Sequence, residues 1–155
     1  MSERTVRPYT AGEEKIGSVL IKILSALTNW AYRATGGKIG GKFRRGAPVM
    51  LVTTTGRKSG KPRTVPLIYL EDGGDLVIVA SKGGMSHHPA WYRNLEANPD
   101  VEVEIGSERR QMRARRASDE EKAELWPRLT QIYRDYDDYQ ARTDRNIPVV
   151  VLSPR

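Results

Sequence analysis

The chain contains no cysteine, and its only two histidines are the adjacent pair His87 and His88. Disulfides, thiol nucleophiles and cysteine-ligated zinc or iron–sulfur sites are excluded by the first absence. A Ser-His-Asp triad and a histidine-rich metal centre are disfavoured by the second, since neighbouring loop histidines chelate poorly and no third ligand stands nearby. Acidic residues are missing from Lys15 to Leu70, a stretch that carries eleven basic ones. The net charge of +7 is therefore concentrated there, and the rest of the chain sums to −4. A one-signed stretch focuses potential on an anionic partner: nucleic acid, an anionic membrane face, or a small phosphate or carboxylate ligand. With 155 residues, 38% hydrophobic and 29% charged, there is material for one core but not two, and too much for a disordered chain.

The residue pattern divides the chain into a polar arm (1–12), an amphipathic helix (13–34) and a folded remainder (35–155). Ile16, Val19, Leu20, Ile23, Leu24, Leu27, Trp30 and Ala31 recur at three- and four-residue spacing. Lys15 and Lys22 argue against a membrane span, and no cleavage signal follows. Such a helix either docks its apolar stripe on its own domain or lies on a bilayer surface. The glycine-rich Gly36–Lys42 segment resembles a phosphate-binding P-loop only superficially. Phe43 stands where a metal-binding hydroxyl is needed, and the segment follows a helix instead of a strand; it reads as a hinge.

Beyond it the period becomes strand-like. Val49–Thr55, Arg63–Leu70 and Asp75–Ala80 form a meander, with Pro66 marking an edge or bulged strand. Pro89–Ala97 is a short helix. Val101–Ile105 and Gln111–Ala117 are paired strands, and Ser118 with Glu121 is a capping box opening a helix over Asp119–Tyr133. Asn146–Leu152 is the last strand. Hairpin-joined strands of this kind predict an antiparallel sheet or small barrel with helices packed outside.

The turn between the first two strands carries Arg57 and Lys58 between Gly56 and Gly60, with Lys61 and Arg63 following at the start of the return strand, far more cation than turn geometry requires. Glycines allow backbone N–H groups to approach an anion, and guanidinium groups offer forked donors to phosphate or carboxylate. Ser81-Lys82-Gly83-Gly84 adds a second cationic glycine turn. Trp91 and Leu95 share a helix face and suit a core, whereas Tyr92, Arg93 and Asn94 point elsewhere and can hold a flat polar ring. Tyr133, Tyr136 and Tyr139 recur every third residue, as either a packing stripe or a substrate wall.

TTTGRKSGKPRTVPL at 53–67, ASKGG at 80–84, PAWYRNLEANPDVEV at 89–103 and the tyrosine-rich tail ending in DRNIPVVV resemble the deazaflavin (coenzyme F420)-dependent nitroreductase and quinone reductase family of actinobacteria. The resemblance covers nearly the whole chain. It implies an α+β fold, a mainly antiparallel split β-barrel of the type that also binds flavin mononucleotide (FMN). By resemblance Arg57, Lys58, Ser59 and Arg63 hold the anionic part of coenzyme F420, and Thr55 is a further cofactor contact. Thr64, Val65, Pro66, Leu67 and Ile68 line its ring. Val79, Ala80, Ser81, Lys82, Ala90, Trp91, Tyr92, Arg93, Asn94 and Tyr136 give further contacts to ring and linker. Ser81, Tyr133, Tyr136 and Tyr139 match positions associated with substrate reduction. Ile68 stands where the nitroimidazole-activating member carries tyrosine, which argues against that activity.

The implied reaction is hydride transfer from the reduced deazaflavin to an electron-poor acceptor, a quinone, in a cytoplasmic monomer or homodimer. If the quinone is lipid-soluble, the first helix would keep the enzyme at the inner face of the membrane. Rival readings are an FMN-dependent split-barrel reductase or oxidase and a non-enzymatic module binding an anionic ligand or lipid. Nucleic-acid binding ranks last, because Lys42–Arg63 contains a single aromatic residue, Phe43, on which a base could stack.

Overall fold

The computed structural model describes residues 6–155. Thr10 caps the first helix, α1 (Ala11–Thr35), through a capping box with Glu13, so the helix begins inside the expected arm; residues 1–5 of that arm lie outside the described residues. The strands are β1 (Val49–Thr55), β2 (Pro62–Ile68), β3 (Leu70–Asp72), β4 (Asp75–Val79), β5 (Asp100–Ile105), β6 (Glu108–Arg116) and β7 (Val149–Pro154). Between them stand α2 (Ala90–Ala97), α3 (Asp119–Ile132) and α4 (Asp135–Arg142).

All seven strands form one antiparallel sheet in the order β2-β1-β5-β6-β7-β4-β3. Its two edge strands are consecutive in the chain, separated only by Tyr69, whose N–H donates to Pro48 O at 3.2 Å. A sheet whose edges are one residue apart must curl, and the result is the split barrel. The run expected as one strand, Arg63–Leu70, is broken at Tyr69 because it supplies both edges.

Side chains alternate between two cores. Met50, Val52, Leu76, Ile78, Val103, Met112, Val150 and Leu152 point into the barrel, where Trp91, Tyr92 and Leu95 of α2 plug it. Val77, Val79, Val149 and Val151 face outward and are covered by Leu125, Leu129, Tyr133 and Tyr136 of the α3–α4 segment. β7 is thus buried on both faces, which explains its unbroken valine run. The capping box Ser118/Glu121 opens α3 as expected.

α1 is turned the opposite way from the docking expectation. Its polar face meets the barrel: Asn29 Nδ2 donates to Thr64 O (2.9 Å), Arg33 pairs with the buried Glu104 (2.9 Å), and Glu14 accepts from Ser86 N (2.7 Å). Tyr32 OH donates to Glu104 O (3.2 Å) and accepts from Gly106 N (2.8 Å). The large residues of the apolar stripe point to solvent, from Val19, Leu20 and Ile23 at 53% exposed to Trp30 at 73%. Partner groups on β2 and β5 decide the orientation. No helix among the described residues is long and apolar enough to cross a membrane. The glycine segment after α1 is packed as well as turned: at Gly37 (φ +86°) a Cβ would lie 2.9 Å from Gly106 Cα.

Candidate active site

A cavity of about 980 Å³ lies between β2, the turn before it, the segment after β4, α2, the α3–α4 tyrosines and the polar face of α1. The β1–β2 turn is braced from within and from behind. Gly56 N donates to Lys61 O and Gly60 N to Gly56 O, both at 2.8 Å. Lys61 N donates to Ser59 Oγ (3.2 Å), and Arg57 N to Asn94 Oδ1 (3.1 Å). Asn94 in turn donates to Thr54 Oγ1 (3.2 Å). The N–H groups of Gly56, Arg57, Gly60 and Lys61 are spent inside the protein, and the side chains of Arg57, Lys58 and Arg63 line the cavity. None of the three pairs with a carboxylate among the described residues.

After β4 the chain makes a tight turn at Lys82–Gly84. Lys82 has φ +44°, unusual for a residue with a side chain. Its Nζ lies 2.8 Å from His87 Nε2, and burial lowers its pKa. Ser81, buried, lines the cavity beside it.

The tyrosine run is divided between two elements. Tyr133 caps the C-terminus of α3, and Tyr136 and Tyr139 lie on α4. The Tyr133 and Tyr139 hydroxyls are 2.8 Å apart, and the Tyr133 and Tyr136 rings meet edge-on at 5.0 Å. Burial, and then the bond with Tyr139, push the Tyr133 phenol well above its ordinary pKa, so its proton stays on. Phe43 packs against Tyr133 at 5.7 Å.

Of the residues singled out by sequence, the cavity collects Arg57, Lys58, Ser59 and Arg63; Thr64, Val65, Pro66 and Leu67; Val79, Ser81 and Lys82; Ala90, Trp91 and Asn94; and all three tyrosines. Thr55, Ile68, Ala80, Tyr92 and Arg93 are outside its lining. Tyr92 is buried in the barrel core, and Arg93 is exposed. Asn94, expected to hold a flat ring, spends its amide on the β1–β2 turn. Sequence reasoning missed the wall made by Ser18, Lys22, Ser25 and Asn29, which share the polar face of α1. Their spacing was visible; their use was not, because the polar side of a surface helix normally faces water.

A family model described as F420H(2)-dependent quinone reductase matches residues 25–154. The chain belongs to the F420H(2)-dependent quinone reductase family. It is similar to the F420H(2)-dependent quinone reductase Rv1261c of Mycobacterium tuberculosis, 42% identical over 146 residues, 92% of this chain and 95% of that protein. Among solved structures it is similar to an F420-H2 dependent reductase, FDR-A (TM-score 0.64, 45% identity, 68% of this chain and 94% of that one). It is also similar to a domain-swapped dimer (TM-score 0.66, 37% identity, 92% of this chain and 100% of that one). As a member of this family the protein is an oxidoreductase that uses coenzyme F420, and the FMN-dependent and non-enzymatic readings fall away.

The residues present fit a planar ring with an anionic tail. Cations without carboxylate partners stand in the same cavity as the apolar Val65, Pro66 and Leu67 and the phenols. One wall also holds a buried acceptor, Asn29 Oδ1, with no partner of its own among the described residues.

Proposed function

We propose that the cavity is where this quinone reductase binds its cofactor and acceptor, with Arg57, Lys58 and Arg63 on the anionic tail and Thr64–Leu67 along the ring. The observation that carries this reading is the convergence of those cations, β2 and the tyrosine wall on one cavity. When bound, reduced coenzyme F420 supplies a hydride. The quinone gains that hydride at the cost of negative charge on an oxygen, and Tyr133 donates a hydrogen bond to it; Ser81 is the second donor in reach of the cavity. A proton from solvent completes the hydroquinone. For that role Tyr133 accepts from the Tyr139 hydroxyl in their 2.8 Å contact, which leaves its own proton for the quinone oxygen. Preorganised donors in a water-poor site stabilise developing charge without reorganising.

The test is a titration of the protein with the deazaflavin, followed by its fluorescence. Replacing both Arg57 and Lys58 with alanine should weaken binding about 100-fold, on the order of tenfold per charge-assisted contact. Unchanged affinity would remove the turn from the site.

We also propose that the outward apolar face of α1 is covered by a second copy of the chain. The similarity to a domain-swapped dimer across 92% of this chain supports this occupant, as does the size of the exposed stripe. The peripheral membrane contact competes for the same face.

A further inference from the structure

We propose that Arg145, which follows α4, is a positioning residue that holds the Ala80–His88 loop, and with it Ser81 and Lys82, against the cavity. The proposal rests on the site reading above. Arg145 lies outside the cavity lining and makes no ion pair with a carboxylate among the described residues. Its guanidinium is instead spent on one loop. Nε donates to Met85 O (2.8 Å), Nη1 to Ala80 O (3.1 Å) and His88 Nδ1 (3.0 Å), and Nη2 to Ser81 O (2.6 Å). Four acceptors spread over nine residues thereby converge on one planar group. A lysine, with a single ammonium, cannot reproduce that fork.

The loop needs such a restraint. Lys82 sits at positive φ, a conformation that persists only where the surroundings over-determine it. Arg142 of α4 adds a bond to Gly83 O (3.1 Å). Gly84, at φ +80°, lies so close to α4 that a Cβ there would be 2.6 Å from Tyr139 O. Arg145 and α4 thus tie the wall bearing Ser81 and Lys82 to the wall bearing Tyr139. The distance between the donors of the two walls, Ser81 on one and the tyrosines on the other, is set by these bonds. Displacements of about 1 Å in such a distance cost on the order of 100-fold in rate.

The experiment uses the full chain as wild type, Arg145→Ala and Arg145→Lys. Amide hydrogen exchange is read first, on protein without cofactor. The alanine variant should exchange the Gly84, Met85 and Ser86 amides about tenfold faster or more, with β1 and β5 unchanged. Turnover of the reduced deazaflavin with a soluble naphthoquinone should show kcat lowered about 100-fold. Free guanidinium should restore part of the loss in Arg145→Ala, and the lysine variant should remain well below wild type. Exchange at the wild-type rate, or kcat and KM both within about twofold of wild type, would overturn the proposal. So would a loss of kcat that guanidinium does not relieve. If the alanine variant does not fold, the lysine variant is read by the same criteria. Absence of turnover in the wild type would sink the site reading, while the exchange result still decides whether Arg145 restrains the loop.

Discussion

A phenol serves as a hydrogen-bond donor only while it keeps its proton, and Tyr133 is placed to keep it. Burial, the largest cause, holds its pKa far above the ordinary value of 10. That makes it a poor proton source and a dependable donor to an oxyanion. Tyr133→Phe should therefore lower kcat about 100-fold, the usual cost of one such donor, with deazaflavin affinity little changed. Because the phenol does not ionise near neutrality, the wild-type kcat should show no tyrosine titration between about pH 7 and 9. Equal losses in kcat and affinity would mark the tyrosine as packing alone. The three-residue spacing made this cluster visible in the sequence, but it does not place the three rings on one helix. The chain leaves helical geometry at Tyr133 (φ −145°, ψ 98°), and only that break lets its ring and hydroxyl meet Tyr136 and Tyr139.

Among elements, the loop after β4 carries both histidines and so links stability to pH below neutrality. His88 accepts from Arg145 at Nδ1, which requires that nitrogen to be unprotonated. Burial and then the Arg145, Arg116 and Arg93 charges lower its pKa, against a smaller opposing effect of Glu96. His87 is lowered as well, by burial and then Lys82. The unfolded chain then binds more protons than the native one from the free imidazole value of 6.5 downward, and stability falls as pH falls through that window. Above it the two states are equally deprotonated and the contribution is flat. Thermal melting followed from about pH 8 to 5 should show this decline, and His88→Gln, which keeps an acceptor, should make it shallower. An identical slope in the variant would remove His88 from the linkage.

The strands were legible because alternation reports a face: Val101, Val103 and Ile105 mark β5, and the valines of β7 mark a strand buried on both sides. The division at Tyr69 was not, since both halves of Arg63–Leu70 have strand composition and only closure of the sheet separates them. Arg145 stands in the DRNIPVVV segment that carries part of the resemblance, but its role left no signal. An arginine in a loop has no periodic neighbours, and its four acceptors are mostly backbone carbonyls.

At the scale of the molecule, the acid-free stretch has a destination. Lys22, Arg57, Lys58 and Arg63 all line the cavity, as does Lys82 from beyond that stretch. Part of the chain's positive charge is thus gathered where an anionic cofactor would be drawn in. The same geometry explains why α1 could be recognised but not oriented: periodicity defines two faces and says nothing of which one is covered. With Ser18, Lys22, Ser25 and Asn29 turned inward, the apolar residues have no partner within the described chain. Replacing Leu20, Leu24 and Leu27 together with lysine should shift the melting temperature only within the few degrees typical of surface changes, about 4 °C or less. If a second copy covers the face, wild type should sediment as a dimer and the triple variant as a monomer. A wild type that is monomeric at every concentration and binds anionic vesicles, with binding lost in the variant, would give the face to the membrane and overturn the dimer. Unfolding of the triple variant would mean that the stripe is packed within its own chain after all.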